Sequence, residues 1–295
     1  MFGPMARGGI GGDSRSDAVR LAPARPLQRA YGRAELSFRA RDGMTTIDRL
    51  YQQGQAKIRL PKVHGEPPVA VFLNTAGGIT GGDRLDSGVV WGPDTEAAVT
   101  SQAAERAYRS DGSSADVTTR LELGAGAKGH WLPQEMIVFD GANLERRIEA
   151  DVDASAELLM VETTLFGRAA MGETVRTCRF IDRWRIRRAG RLIYADTFRI
   201  GRDGTDDPSR ILAGAATGSG ASALSTILLV APDAETRLAD MRAHLEAVGI
   251  EAGASAWNGL LLARMVSTSP RDLRRDLVTV LERFRRRLLP RPWYC

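Results

Sequence analysis

From Leu27 to about Ile200 the apolar residues fall in short runs rather than at helical spacing. LYQQGQAKIRLP (50–61), ADVTTRLELGAG (115–126), HWLPQEMIVFDG (130–141), AELLMVETTLFG (156–167) and RLIYADTFRI (191–200) each combine β-branched or aromatic residues and close on Gly, Pro or Asp. That pattern predicts strands. Alternation at Val117, Thr119, Leu121 and Leu123 gives one of them a clear inward face. Many short strands with turns between them fit a sandwich, a barrel or a solenoid, and no fixed period chooses among these.

The last third changes period. In 233–248, Ala234, Leu238, Met241, Leu245 and Val248 share one helical face, with Asp233 placed to cap and Gly249 to stop. In 270–289 the stripe is Leu273, Leu277, Val280, Leu281, Phe284 and Leu288. Ser269 stands at its cap, Pro270 at its first position and Asp272 in its first turn. Between the two helices, GLLLARMVS (259–267) predicts a buried strand.

Residues 1–26 are rich in Gly, Ser, Pro and Arg and predict a disordered leader. The rest, 27–295, reads as one domain with a β-rich body over 27–230 and the two helices behind it. No apolar run reaches the roughly 20 residues of a membrane span; the longest, Leu224–Ala231, is broken by Ser225 and Thr226. The N-terminus carries no secretory pattern. Two distant cysteines, Cys178 and Cys295, fit a reducing cytoplasm rather than a disulfide framework. His64, His130 and His244 are isolated, which argues against a tight zinc site.

The net charge of +5 is carried almost wholly by arginine, lysine occurring only at 57, 62 and 128. GC-rich coding explains such a bias, and docking on acidic protein surfaces is the functional alternative. No helix-turn-helix, RRM, KH or zinc-finger pattern supports nucleic-acid binding.

LNTAGGITGGDRL (73–85) holds Gly77, Gly78, Gly81 and Gly82. It is not a P-loop: Asp83 and Arg84 stand where Lys and Ser/Thr are required, and GxGxxG fails as well. Nor does a helix pattern follow, as a phosphate cradle needs. The plain reading is a tight turn between strands Val69–Leu73 and Ser87–Trp91, with glycines supplying positive φ and close approach.

This segment resembles the glycine-rich block of the UreD (UreH) urease accessory family. GQAKIRLPK (54–62), TSQAAERAYRS (100–110), WLPQEMIVFDGA (131–142) and LFGRAAMGE (165–173) resemble further blocks of that family, in the same order and spacing. The resemblance implies a mainly β fold, a helical, solenoid-like winding of many short strands with two α-helices in the C-terminal third. It also implies a cytoplasmic, non-enzymatic role in assembling the nickel centre of urease. The expected partners are apo-urease, UreF, and the GTPase UreG through UreF, with no nucleic acid and no membrane. No cofactor is expected to stay bound; nickel is in transit. Sparse carboxylates suit a passing Ni²⁺, which thiolate or imidazole clusters would trap.

Asp83, Glu135, Asp140 and Glu173 are therefore the candidates for a nickel path. Each is an acid inside a family-like block, and each reads equally as a turn cap or surface charge. Gly77, Gly78, Gly81 and Gly82 are candidates for a structural loop. Tyr108, Arg109 and Ser110, together with Trp293 and Tyr294 in the C-terminal LPRPWYC, are candidate partner contacts; packing on the chain's own surface is the alternative. Arg168 is expected in an interior ion pair, and Glu105 reads as a surface charge. With no GxSxG elbow and no recognisable catalytic pair, the competing functions are a nucleotide-dependent enzyme and a basic nucleic-acid-binding module.

Overall fold

The computed structural model describes Gly3 and residues 28–62, 66–168, 171–201 and 207–295. Apart from Gly3, the leader 1–26 lies outside the described residues, as does His64. The chain forms β1 (Tyr31–Arg41), β2 (Met44–Gly54), β3 (Ala56–Arg59), β4 (Val69–Asn74), β5 (Arg84–Trp91) and β6 (Glu96–Ser101). Next come β7 (Glu105–Ala107), β8 (Ala115–Leu123), β9 (Lys128–Leu132), β10 (Met136–Val138), β11 (Ala142–Val152) and β12 (Glu157–Phe166). Then follow β13 (Cys178–Arg188), β14 (Arg191–Ile200), helix α1 (Pro208–Ala213), β15 (Ala223–Val230), α2 (Leu238–Glu246), β16 (Glu251–Trp257), β17 (Leu260–Ser267) and α3 (Pro270–Arg285).

Two sheets face each other. The first has the order β14-β13-β11-β8-β5-β1-β2, parallel except at its two edge strands. The second runs β16-β17-β15-β12-β9-β6-β4-β3, with β10 joining β12 to β7. From β4 to β13 the chain crosses repeatedly between the sheets, so β4, β6, β9 and β12 stack in one while β5, β8, β11 and β13 stack in the other. Each strand returns beside its predecessor after one coil. That is why the ladders are parallel, and it is the mainly β, solenoid-like winding expected.

The inward faces of both sheets meet in a core that includes Leu36, Phe38, Trp91, Leu121, Ile148, Leu158 and Ile186. The second sheet is covered again on its outer face by α2 and α3, through Leu159, Ile227, Leu229, Met241, Leu273 and Leu277. Burial on both faces explains why the apolar residues of β12 and β15 come in consecutive stretches (158–161 and 227–230) instead of alternating.

Several boundaries differ from the sequence expectation. The run 50–61 is two strands broken at Gln55, and 130–141 is split around Pro133. The first long helix begins as a 3-10 turn (Ala234–Arg237), and Asp233 does not cap it but pairs with Arg237. The second keeps its Ser269 cap, whose Oγ accepts the Asp272 amide, but ends at Arg285 because Arg286 turns left-handed (φ 52°). Leu288 is therefore exposed and Leu289 is buried in its place. The short α1, capped by Asp207, was not expected; six residues are too few to show a helical period.

Candidate functional site

The glycine loop joins β4 to β5 and leads directly into a strand, so it has no helix N-terminus behind it. Its tightness has two causes. Gly77 and Gly82 take positive φ (77° and 84°). Gly78 (φ 158°) and Gly81 are points of close approach. A Cβ at Gly78 would collide with the Tyr108 ring and lie 2.8 Å from the Arg106 carbonyl, and one at Gly81 would meet Ser110 Oγ and the Ser113 carbonyl. Of the two reasons expected, positive φ and close approach, only close approach applies to Gly81.

Asp83 closes this loop from inside. Its Oδ2 accepts the Thr80 amide at 2.9 Å and its Oδ1 accepts the Ala30 amide at 2.7 Å. The residue is buried. Both oxygens are thus engaged by backbone, which makes Asp83 a structural clasp and not a free cation ligand.

The next coil lies directly against the loop. Ile79 bridges Ala107, the Tyr108 hydroxyl donates to the Gly77 carbonyl at 3.0 Å, and Thr80 Oγ1 donates to the Arg109 carbonyl at 2.9 Å. Ser110 Oγ donates to the Ser113 carbonyl. One coil further, Asp140 receives Arg109 Nη2 at 2.6 Å and the amides of Arg176 and Thr177, each at 2.9 Å. Partial burial pushes the Asp140 pKa up, but these donors outweigh it and hold the carboxyl below its ordinary range. Phe139 packs edge-on to Tyr108 at 5.0 Å, and the Arg168 guanidinium lies 4.6 Å from the Phe139 ring centre. Arg168 grips Glu173 through Nε (2.9 Å) and Nη2 (3.2 Å), which lowers the Glu173 pKa. This pair is at the surface, not in the interior as expected for Arg168.

The fold therefore brings Gly77, Gly78, Gly81, Gly82, Asp83, Tyr108, Arg109, Ser110, Asp140 and Glu173 to one end of the coils. Glu135 is elsewhere: it pairs with Arg274 of α3 at 2.8 Å. Arg274 also stacks on Trp293 (5.1 Å) and donates to its carbonyl. Trp293 is buried, and its Nε1 donates to the Leu132 carbonyl at 3.1 Å. The expectation of Trp293 as an exposed anchor is thereby corrected. The indole is consumed by the chain's own core, because the tail runs back along α3 to Arg274. Tyr294 stays half-exposed, bonded to Glu282 and to the Leu289 amide.

Sequence reasoning missed an interior feature. A cavity of about 180 Å³ lies between the sheets, with Glu105, Gln134, Arg146 and Glu162 in its wall. Arg146 binds Asp182 through Nε (3.0 Å) and Nη2 and Glu162 through Nη1 (2.6 Å), all three groups buried. Trp131 donates to Glu162 at 2.8 Å and Trp184 to Asp182 at 3.0 Å. Burial raises the Glu162 pKa, and Arg146 opposes that rise. Glu105 is half-buried, not a plain surface charge: burial lifts its pKa to about 7 against hydrogen bonds from the Asn74 side chain and the Arg106 amide. The available signal was Arg146 itself, an arginine at the inward phase of Leu144, Ile148 and Ala150. Among the described residues no three His, Cys, Asp or Glu side chains gather as a metal site, and no helix is long and apolar enough to cross a membrane.

The geometry defines a two-sheet β-solenoid whose coil-end loops interlock into a single aromatic and polar face. The family model described as UreD urease accessory protein matches residues 30–294. A urease accessory protein UreD of Rhizobium rhizogenes is 47% identical over 276 residues, covering 93% of this chain and 98% of that protein. Those of Rhizobium etli (46%, covering 92% and 98%) and of a Methylobacterium species (43%, covering 90% and 95%) are similarly close. The chain belongs to the UreD family of urease accessory proteins.

Proposed function

We propose that this chain is a non-catalytic scaffold for metallocentre assembly. It binds apo-urease and a UreF partner in the cytoplasm, and with the UreG GTPase recruited through UreF it supports nickel insertion. The observation that carries this reading is the family match over nearly the whole chain, with relatives named as urease accessory proteins. The interlocked loop face (Tyr108, Arg109, Ser110 and their neighbours) is the proposed docking surface, since it presents aromatic and arginine contacts held rigidly by the coils. A nucleotide-dependent enzyme is disfavoured by the glycine loop, whose backbone is spent on the adjoining coil and which leads into β5.

Nickel is cargo here, not a resident cofactor. Asp83 leaves the proposed path because its oxygens clasp the loop. Asp140 and Glu173 remain through one oxygen each: backbone amides hold Asp140 Oδ1 and Glu173 Oε2, but Asp140 Oδ2 and Glu173 Oε1 face only the substantially exposed guanidinium groups of Arg109 and Arg168. Such pairs contribute only about 0–1 kcal/mol, so an arriving dication can displace the guanidinium. The test is co-expression of the Asp140→Asn/Glu173→Gln variant with apo-urease and UreF, reading nickel per urease at limiting nickel beside recovery of the complex. Reduced loading with an intact complex supports the path. Unchanged loading removes these acids from it, and absence of any complex with the unmodified chain sinks the scaffold reading itself.

A further inference from the structure

A second polar basin lies on the outer face of the second sheet, under the last turn of α3. Its volume is about 300 Å³, room for roughly ten waters at about 30 Å³ each. The floor comes from adjacent strands: Glu96 on β6 and Glu157 on β12 flank Lys128 on β9, and His130 follows on the same face beside Leu159. The roof is Phe284 and the run Arg285–Arg287, and Arg237 closes one side. Five cationic side chains thus meet two carboxylates. Both carboxylates are already engaged, Glu96 by Arg287 at 2.9 Å and Glu157 by Arg237 at 2.7 Å.

The remainder is one-sided. Among the described residues Lys128, Arg285 and Arg286 contact no carboxylate. Arg285 is the telling case. Its guanidinium is drawn against His130, with Nε and Nη2 at 3.2 and 3.0 Å from Nδ1, and Nη1 donates to the Leu288 carbonyl. Burial, then the neighbouring Arg287, depresses its pKa to about 10. Burial and three cations hold the His130 pKa down at about 3, so the ring is neutral. With Nδ1 accepting from Arg285, the His130 proton sits on Nε2, another donor with no acceptor among the described residues. The helix dipole accounts for cations at the exposed end of α3. It does not account for a guanidinium tucked onto a neutral imidazole with no carboxylate in contact among the described residues, Glu282 and Glu96 acting on it only at longer range, an arrangement that an anion would complete.

We propose that this basin is a binding site for a small phosphate-class oxyanion, held by Arg285, Arg286, Lys128 and His130 Nε2–H. A tetrahedral, acceptor-rich oxyanion answers a pocket whose unpaired groups, among the described residues, are donors. Arginine's fork and the lysine point charge suit it, and the basin is too small for a folded partner to enter.

The test is calorimetric titration of inorganic phosphate into the full chain, kept in solution by a carrier fusion with the carrier alone as blank. One saturable site is expected, competed by sulfate and not by chloride at equal ionic strength. Glycerol 3-phosphate in a parallel titration tells a free ion from the phosphoryl group of a larger molecule. Arg286→Gly removes one cation at a left-handed position that glycine favours, so its fold is secure; Arg285→Met removes the half-buried one. Each is expected to weaken phosphate at least tenfold with unchanged circular dichroism, and if Arg285→Met does not fold, Arg286→Gly carries the test. Absence of saturable phosphate binding overturns the proposal, and so does an acidic peptide that binds where phosphate does not. Full phosphate affinity in Arg286→Gly places the anion elsewhere and overturns it too.

Discussion

Arg146 is the residue whose removal should be felt most in the fold. Arg146→Met keeps much of the side-chain volume and deletes the charge. It strands Glu162 and Asp182, two buried carboxylates that the guanidinium now bridges. Breaking a buried ion pair from one side costs about 3–5 kcal/mol, a large share of the roughly 5–15 kcal/mol that holds a domain together. The loss should depend on pH. Buried carboxylates without a counter-ion bind protons up to higher pH than they do unfolded. The folded variant therefore holds more protons than the unfolded chain, and its stability falls as pH rises above the ordinary carboxylate range. The deficit against the parent should be larger at pH 8 than at pH 5. Neutralising all three groups, Arg146→Met/Glu162→Gln/Asp182→Asn, should recover most of it, because the amide oxygens still accept from Trp131 and Trp184. Urea unfolding read by tryptophan fluorescence is the assay, those two indoles lying at the cluster. If the single variant loses under about 1 kcal/mol, or loses the same at both pH values with no recovery in the triple, the cluster contributes packing and not charge pairing.

Three further outcomes are expected. Glu105→Gln should flatten the pH dependence of stability. Since burial lifts Glu105 to about 7, the charged form is disfavoured in the fold, with no penalty well below pH 4.5 and a full one, up to roughly 2–3 kcal/mol, above pH 7; thermal midpoints of variant and parent at pH 5 and 8 check this. Gly78→Ala and Gly81→Ala should each cost about 1–3 kcal/mol by overpacking, through the Tyr108 ring and Ser110 respectively; equal urea midpoints in variant and parent would refute the close approach. Ser269→Ala should remove about 1 kcal/mol by uncapping α3, measurable in the same urea series.

The strands and the two longer helices were legible because alternation and helical spacing are local properties. Ser269 and Pro270 marked the start of α3 for the same reason. Its end was not legible: Arg286 carries no signal for a left-handed turn, and in sequence the apolar stripe continues to Leu288. The pairing of β12 with β9 on one side and β15 on the other was hidden, since an apolar run states burial but not partners. At the loop face the residues were found and their roles were not. Asp83, Asp140 and Glu173 stood out as acids near glycine, but the donors to Asp83 and Asp140 come from residues as distant as Ala30, Arg109 and Thr177, and only Glu173 is held wholly locally, by Arg168. Trp293 was left open between two readings because an aromatic tail looks the same in sequence whether it docks outward or folds back.

Parallel coils impose a spacing on whatever they carry. Neighbouring strands in a sheet lie about 4.8 Å apart, so the loops that cross between the sheets form the rungs of a ladder with a fixed pitch. Tyr108 sits one rung from the glycine loop and Asp140 one rung further. A residue changed, or a short segment inserted, on one rung leaves the pitch of the others intact, because the sheets set it and the loops do not. The loop face can therefore be revised rung by rung over evolutionary time while the frame beneath it stays constant. A partner that reads several rungs at once is measuring distance along the ladder as well as chemistry on each step.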